Sequence, residues 1–390
     1  MLKGLHDSNM EKSRIDTLTS IRFFMILIIA FTHFYFLGGS DGVGKFLHTH
    51  IQNPSLPVEF FFVMSGFGLT YRSLVKGKIA IDGHFSLLKG LKFGIQRMNK
   101  LYWLYVLTMA SMIPLTTLWK NWELNNWALS GIQTMISFFA DLTLTQSLYG
   151  VSKIANELNG PCWFISALFI LYCFYPLLEK INLKIVKLST SRILLILLFT
   201  EVLCYLFLIP CSYLKDNSSF DYLAYGSPYM RIFSMFSGIL ICDLYYKGSK
   251  KLKYGTLLEV AVMSVALLWI YNMRVYYDPQ DNYFVRYPVV AVINNLISLG
   301  IVYVFSSESG AISRILLNRT LVTLGGCAMY IYLLHWPVIY NVYGVINQLL
   351  PMTVVVKIFT TALIFLVTGI LTYIVWKYEA KVMQYIDSQK

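Results

Sequence analysis

Arg22 and His33 stand eleven residues apart in an apolar run that begins at about Thr17. Eleven helical steps of 100° return to within about 20° of the starting face, with a rise of about 16 Å. Both side chains therefore point into one groove, Arg22 near one end of the run and His33 in the other half. Imidazole is the side chain best suited to taking and returning a proton near neutral pH. A second apolar run, from Leu56, contains Val58-Glu59-Phe60 through Phe67 and ends at Arg72. It runs in the opposite sense, which brings Glu59 to about the depth of His33. There its carboxylate is expected to accept the imidazole N–H, fix the tautomer and raise the basicity of the ring. Ser65-Gly66 midway along leaves room for close backbone approach by a neighbouring helix or a thin ligand. Arg72, Arg97 and Lys100 gather at the end where Arg22 lies and form a candidate phosphate site. Each feature also has a plainer reading: a snorkelling arginine, a packing histidine, helix packing at Ser-Gly and ordinary loop charge. The shared face of Arg22 and His33, with Glu59 at matching depth, favours chemistry.

The elements that must position these residues are membrane helices. Hydrophobic residues make up 57% of the 390-residue chain and charged residues 13%, where soluble domains run at roughly 45–50% and 25%. Mean hydropathy is +0.59. Apolar runs near the ~20 residues needed to cross the hydrocarbon core start at about Thr17, Leu56, Leu101, Cys162, Ile193, Pro228, Thr256, Tyr287, Leu321 and Thr353. The expectation is an all-α bundle of about ten transmembrane helices forming one domain over residues 1–390, since no linker, repeat or low-complexity stretch divides the chain. Ile132–Leu148 is a weaker run carrying Asp141, read as an interfacial or re-entrant piece of a long outer loop near Trp119, Trp122 and Trp127. Ionisable groups inside such spans cost about 2.5–3.5 kcal/mol each on insertion scales, so Arg22, His33 and Glu59 each call for a reason.

The net charge of +12 is a topology signal, not a nucleic-acid footprint. Lys and Arg crowd the N-terminal tail and every second connection: 72–100, 180–192, 247–253, 314–319 and the C-terminal tail. The alternate connections hold only Lys45, Lys120, Lys153, Lys215, Arg274 and Arg286. Basic loops stay cytoplasmic, so both termini are expected in the cytoplasm. A cleaved signal peptide near Gly38-Gly39-Ser40 competes for the N-terminus, but the run is long for one and Arg22 interrupts it. Arg231 and Lys357 fall near outer helix ends and are expected to snorkel. Glu201, Asp243 and Glu259 carry no motif. The 6 cysteines form no C-x-x-C pair, which points to neither a metal site nor a disulfide framework.

In its motifs the chain resembles the integral-membrane acyltransferase family 3. The resemblance rests on Arg22-x10-His33, the Phe60–Phe67 run with Ser65-Gly66, and Arg97-x-x-Lys100-Leu-Tyr102. It continues through Trp163-Phe-Ile-Ser166-Ala-Leu-Phe, Tyr175-Pro176-Leu-Leu and Phe233-Ser-Met-Phe-Ser-Gly238. Tyr330-Ile-Tyr332-Leu-Leu-His335-Trp-Pro337 and Glu379 complete it, in order along essentially the whole chain. It implies a plasma (inner) membrane enzyme that moves an acyl group, most simply acetyl, from acyl-CoA to a hydroxyl of a surface glycan or a lipid-linked sugar precursor. By the resemblance His33 would be the catalytic residue, with Arg22 in the same active-site motif; the residues themselves leave His33 either as catalytic base for direct transfer or as a brief carrier of the acyl group, with Glu59 supporting the imidazole. Arg72, Arg97 and Lys100 would hold the donor; Ser65, Trp163 and His335 would meet substrate. No metal is implied. The chain departs from the family where Ser166-Ala-Leu-Phe replaces acidic residues common after the tryptophan, and where Trp103 replaces a proline.

Two other classes compete. A transporter or flippase for a polysaccharide precursor would also place Arg, His and Glu on a polar path, but the paired repeats usual in transporters are not evident. A membrane-bound O-acyltransferase of the unrelated superfamily would use His335 as its buried histidine and leave the Arg22–His33 spacing unexplained. His335 itself has two readings, a cavity residue that binds acceptor hydroxyls or a structural histidine at a proline-broken helix.

Overall fold

A computed structural model describes residues 14–38, 42–77, 79–80, 83–148, 157–212, 221–248, 251–276 and 283–388. Among them the chain is helical, with no strand. The α-helices are α1 (Asp16–Thr32), α2 (Gly42–His50), α3 (Ser55–Lys76), α4 (Leu87–Leu124), α5 (Trp127–Leu142), α6 (Trp163–Ile185) and α7 (Thr190–Ser212). They continue with α8 (Pro228–Lys247), α9 (Gly255–Tyr276), α10 (Tyr283–Ser306), α11 (Ala311–Leu316), α12 (Arg319–Gly326), α13 (Ala328–Leu349) and α14 (Val354–Ser388). All ten expected span starts fall within or beside one of these helices.

Among the described residues six helices are long and apolar enough to cross a membrane: α4, α6, α7, α9, α10 and α14. The pair α12–α13, bent by 59° at Cys327, makes a seventh if it is one span. The remaining three expected spans, α1, α3 and α8, are those that carry Arg22, Glu59 and Arg231. They pack against other helices (α3 against α8 and α10, α1 against α12 and α13), and a helix surrounded by protein can carry polar groups that lipid would not tolerate. The outer helices turn large apolar side chains outward instead. Leu194, Leu195, Leu198 and Phe199 on α7, Leu267 and Leu268 on α9, and Val355, Phe359 and Leu366 on α14 are all exposed. Continuous apolar surface of this extent marks a lipid-facing wall. The chain is an all-α, polytopic membrane protein.

Two elements differ from the sequence reading. Helix α4 begins at Leu87, well before Leu101, so Arg97 and Lys100 sit on a helix and not in a loop. Gly90 and Gly94, one turn apart, explain the extension. A Cβ on either would collide with Cys173 of α6, so the two helices pack backbone to backbone. Helix α5 starts at Trp127, where the Asn126 side chain accepts the Leu129 N–H at 3.1 Å. It then runs back along α4 for about 24 Å. Its end is fixed there by Tyr102 and Tyr105, whose hydroxyls donate to the carbonyls of Leu142 and Asp141 at 2.8 and 2.9 Å. The helix thus covers Trp127–Leu142, where the sequence reading placed a weaker run over Ile132–Leu148.

Two carboxylates, half-buried Glu308 and buried Glu259, serve as helix caps. Glu308 accepts the Asp16 and Thr17 N–H groups at 3.0 and 3.2 Å, holding the start of α1. Glu259 accepts the N–H groups of Gly310, Ile312 and Ser313 at the start of α11, at 2.9–3.1 Å. A carboxylate satisfies orphan donors and complements the helix dipole at this end, which gives Glu259 a structural role.

Candidate active site

His33 closes α1. It is the C-cap residue, with its backbone N–H turned to the carbonyls of Ala30 and Phe31, and the chain breaks into a short 3-10 turn over Tyr35–Leu37. Its half-buried ring faces His335, which is 1% exposed in the interior of α13. His33 Nδ1 lies 3.1 Å from His335 Nε2, and the ring centroids are 5.1 Å apart. His335 Nδ1 lies 2.6 Å from the Tyr332 carbonyl oxygen. Trp336 stands edge-on to His33 at 5.0 Å. The two histidines, 302 residues apart in sequence, thus share one site.

The segment leading into α6 is fastened to this pair. The Tyr332 hydroxyl donates to the Pro161 carbonyl, and Asn159 Nδ2 donates to the Leu333 carbonyl at 3.1 Å. Gly160 lies under Trp336, where a Cβ would come within 2.9 Å of the indole. Trp163 opens α6 beside Tyr225, with ring centroids 5.2 Å apart. It therefore stands between the histidines and the buried ion pair described below.

Arg22 lies three turns back along α1, roughly 16 Å from His33 by helical rise. Here α1 meets α12 at close range, because a Cβ on Gly325 would collide with the Thr19 carbonyl. Arg22, Arg72 and Arg97 all act electrostatically on Tyr172 of α6, and Ser65 of α3 lies on the same side. Arg97 rests over the Phe93 ring at 4.7 Å. Among the described residues none of the three arginines is within salt-bridge distance of a carboxylate. Three guanidinium groups with no carboxylate in direct contact among the described residues, though Glu179 acts on Arg97 at longer range, suit a phosphorylated or otherwise anionic group. Tyr172 was not singled out by sequence, since one tyrosine in an apolar helix carries no local signal. Its spacing of nine residues from Trp163 gains meaning only once α6 is seen packed on α3 and α4.

Lys100 does not join this cluster. Its ammonium is 2.9 Å from a Glu379 carboxylate oxygen, which also accepts from the Tyr330 hydroxyl. Lys100 is matched by an acidic residue on α14, whereas among the described residues none of the three arginines lies in a direct ion pair.

Glu59 does not reach His33 either. It is 3% exposed, and its two carboxylate oxygens take hydrogen bonds from Arg231 and Ser234 on α8. Arg231, expected to snorkel, is 4% exposed. Besides Glu59 it donates from Nε to the Tyr225 carbonyl at 2.8 Å and lies over the rings of Phe62 and Tyr225 at 5.4 and 4.9 Å. Arginine is the cation best fitted to such a buried fork. A buried ion pair is tolerated when further hydrogen bonds support it; here Ser234 and the Tyr225 carbonyl supply two, while Arg231 Nη2 has no hydrogen-bond partner among the described residues. The pair joins α3 to α8 where a Cβ on Gly66 would collide with the Met235 carbonyl, and one on Gly238 with that of Val63. Close backbone approach at Ser65-Gly66 is thus made by a neighbouring helix. The Ser65 hydroxyl donates to the Phe61 carbonyl at 2.8 Å on the side that meets Tyr172.

Among the described residues no cluster of three or more His, Cys, Asp or Glu is placed to hold a metal ion. The site therefore offers a histidine pair at one level and, about three helical turns away, an arginine cluster with no direct ion pair among the described residues. No curated protein and no solved structure matches the chain significantly. The acyltransferase domain of the Acyl_transf_3 family matches residues 15–376, which takes in both histidines and all three arginines. The chain belongs to that family and is an acyltransferase.

Proposed function

We propose that the protein moves an acyl group, most simply acetyl, from acyl-CoA to a hydroxyl of a cell-surface glycan or its lipid-linked precursor, with His33 as general base. The observation that carries this reading is the single face of α1 that bears Arg22 and His33, with His33 beside His335. Arg22, Arg72 and Arg97 suit the phosphates of the donor. The stretch of about 16 Å between them and His33 suits a thin extended arm that delivers the thioester. His33 takes the proton as the acceptor hydroxyl oxygen attacks the thioester carbonyl carbon. The carbon–sulfur bond breaks, and the departing sulfur takes the proton back from His33, so the base is regenerated. Arg22 holds negative charge and does not exchange a proton. Trp163, Trp336 and Ser65 line the route between the two levels.

In this reading Glu59 positions α3 against α8 through Arg231, and Lys100 positions α14 through Glu379. The protein resides in the plasma membrane with both termini cytoplasmic, as its basic connections require. The donor then enters from the cytoplasm, and the acceptor meets His33 nearer the other side. The test is purified protein incubated with acetyl-CoA and the surface glycan, with acylation read by mass spectrometry. Acetyl transfer that depends on His33 is the expected result. No transfer with any acyl-CoA, or transfer that persists without His33, would overturn the proposal.

A further inference from the structure

We infer that His335 is the positioning residue of the reaction, holding His33 in the one tautomer whose outer nitrogen is free to act as base. The inference rests on the reading of His33 as the general base and goes beyond it to the partner that makes the base competent.

A backbone carbonyl can only accept, so the His335 nitrogen 2.6 Å from the Tyr332 oxygen, Nδ1, carries a proton and donates it. In neutral imidazole only one ring nitrogen is protonated, so His335 Nε2 is bare. That bare nitrogen lies 3.1 Å from His33 Nδ1. Two lone pairs facing each other at hydrogen-bond distance would repel, so the proton between the rings belongs to His33 Nδ1. His33 in turn is neutral with its proton on Nδ1, and Nε2 is its only basic atom.

The chain Nδ1–H of His33 to Nε2 of His335, then Nδ1–H of His335 to the Tyr332 carbonyl, orders both rings in one direction. When His33 Nε2 takes the acceptor's proton, the Nδ1–H stays in place and donates more strongly, and the neutral His335 spreads the new charge. Should His335 gain a second proton at Nε2, His33 Nδ1 would have to accept it. The His33 proton would then sit on Nε2 and fill the base site. Among the groups facing His33, Trp336 does not titrate and Tyr35 stands 6.1 Å away. His335 is the titratable side chain that acts on it electrostatically. Glu59, the carboxylate that might have taken this role, is bound to Arg231 and Ser234. The part an acid plays in many histidine sites falls here to a second histidine. Its tautomer is set by main chain, one turn earlier on its own helix.

The test compares two side chains of similar size at position 335. Gln can accept the His33 Nδ1–H through its amide oxygen, and Leu cannot. A wrong tautomer in a histidine–aspartate pair costs about 10⁴-fold in rate, and a neutral acceptor is weaker. His335→Leu should therefore lose roughly 10²-fold in kcat per folded molecule, with the KM for acetyl-CoA little changed. His335→Gln should stay within about 10-fold of the wild type. Equal turnover by the two variants, whether high or low, would overturn the inference, since packing alone does not separate them. Should either variant fail to fold, 15N spectra of the wild-type imidazoles decide. Protons on His33 Nδ1 and His335 Nδ1 with both Nε2 atoms bare are expected, and an Nε2-protonated His33 would overturn it. The base role of His33 and the positioning role of His335 fail separately. An active His33→Ala ends the base assignment itself, whereas an inactive His33→Ala with a fully active His335→Leu ends only the role given to His335.

Discussion

Glu59 on α3 is bound to Arg231 on α8, and the pair closes a buried crossing of two helices some distance from the histidines. Breaking such a pair from one side strands the other charge, at a cost of roughly 3–5 kcal/mol. Glu59→Gln should therefore lower the yield and thermal stability of folded protein in detergent. The double variant Glu59→Gln, Arg231→Met should recover part of that loss, because no charge is left unpaired. A Glu59→Gln protein that folds normally yet has lost turnover would give the carboxylate a part in the chemistry instead.

For His33 the expectation is the reverse. His33→Ala should insert, fold and bind donor close to normally, yet lose about 10²–10⁴-fold in transfer rate, the span a general base contributes. The measurement is single-turnover acyl transfer normalised to folded protein. A loss of folded material with turnover intact would return His33 to a packing role.

The arginine cluster and Lys100 should part company in donor binding. Arg72→Ala and Arg97→Ala should each weaken coenzyme A binding, and added salt should weaken it in the wild type, since exposed charge is screened over about 8–10 Å. Lys100→Ala should leave binding within about twofold, because its ammonium is already matched by Glu379. Titration calorimetry at two salt concentrations would read all three. Salt-independent binding, or Lys100 as the most sensitive position, would contradict the assignment.

Orientation has its own check. Reporter fusions after Lys187 and Lys251 should report the cytoplasm, and a fusion after Lys45 the other side. Reversal of two of the three would overturn the orientation and with it the side from which the donor enters.

What could be read beforehand was whatever one helix determines by itself. The shared face of Arg22 and His33 follows from helical period alone, and the ten span starts follow from local apolarity. Partners were another matter. Glu59 and Arg231 lie 172 residues apart, and nothing local to Val58-Glu59-Phe60 indicates whether its carboxylate meets an imidazole or a guanidinium. Lys100 looked like its neighbours Arg72 and Arg97 until α14 brought Glu379 to it. The start of α4 was hidden for a different reason. Lys89, Lys92, Arg97 and Lys100 read as loop charge, whereas the packing that makes the segment helical comes from Gly90 and Gly94, residues usually counted against a helix. His335 was visible as a histidine at the right depth, but its hydrogen bond to the Tyr332 carbonyl, which sets its tautomer, is a property of the folded helix.

The crossing at Gly66 and Gly238 also limits how this chain can vary over evolutionary time. At most packed positions a larger side chain can be absorbed by a change in a neighbouring side chain. At these two the obstacle is a main-chain carbonyl, which every residue type possesses, so no single change at Met235 or Val63 can make room. The route from glycine to any other residue then passes through displacement of a whole helix, and with it Ser65 next in sequence and the Glu59–Arg231 pair nearby. Drift at these sites is closed off one substitution at a time, whereas the lipid-facing leucines of α7 can exchange among apolar types freely. Related chains that keep this pair of helices should therefore be expected to keep both glycines even where acceptor and donor have diverged.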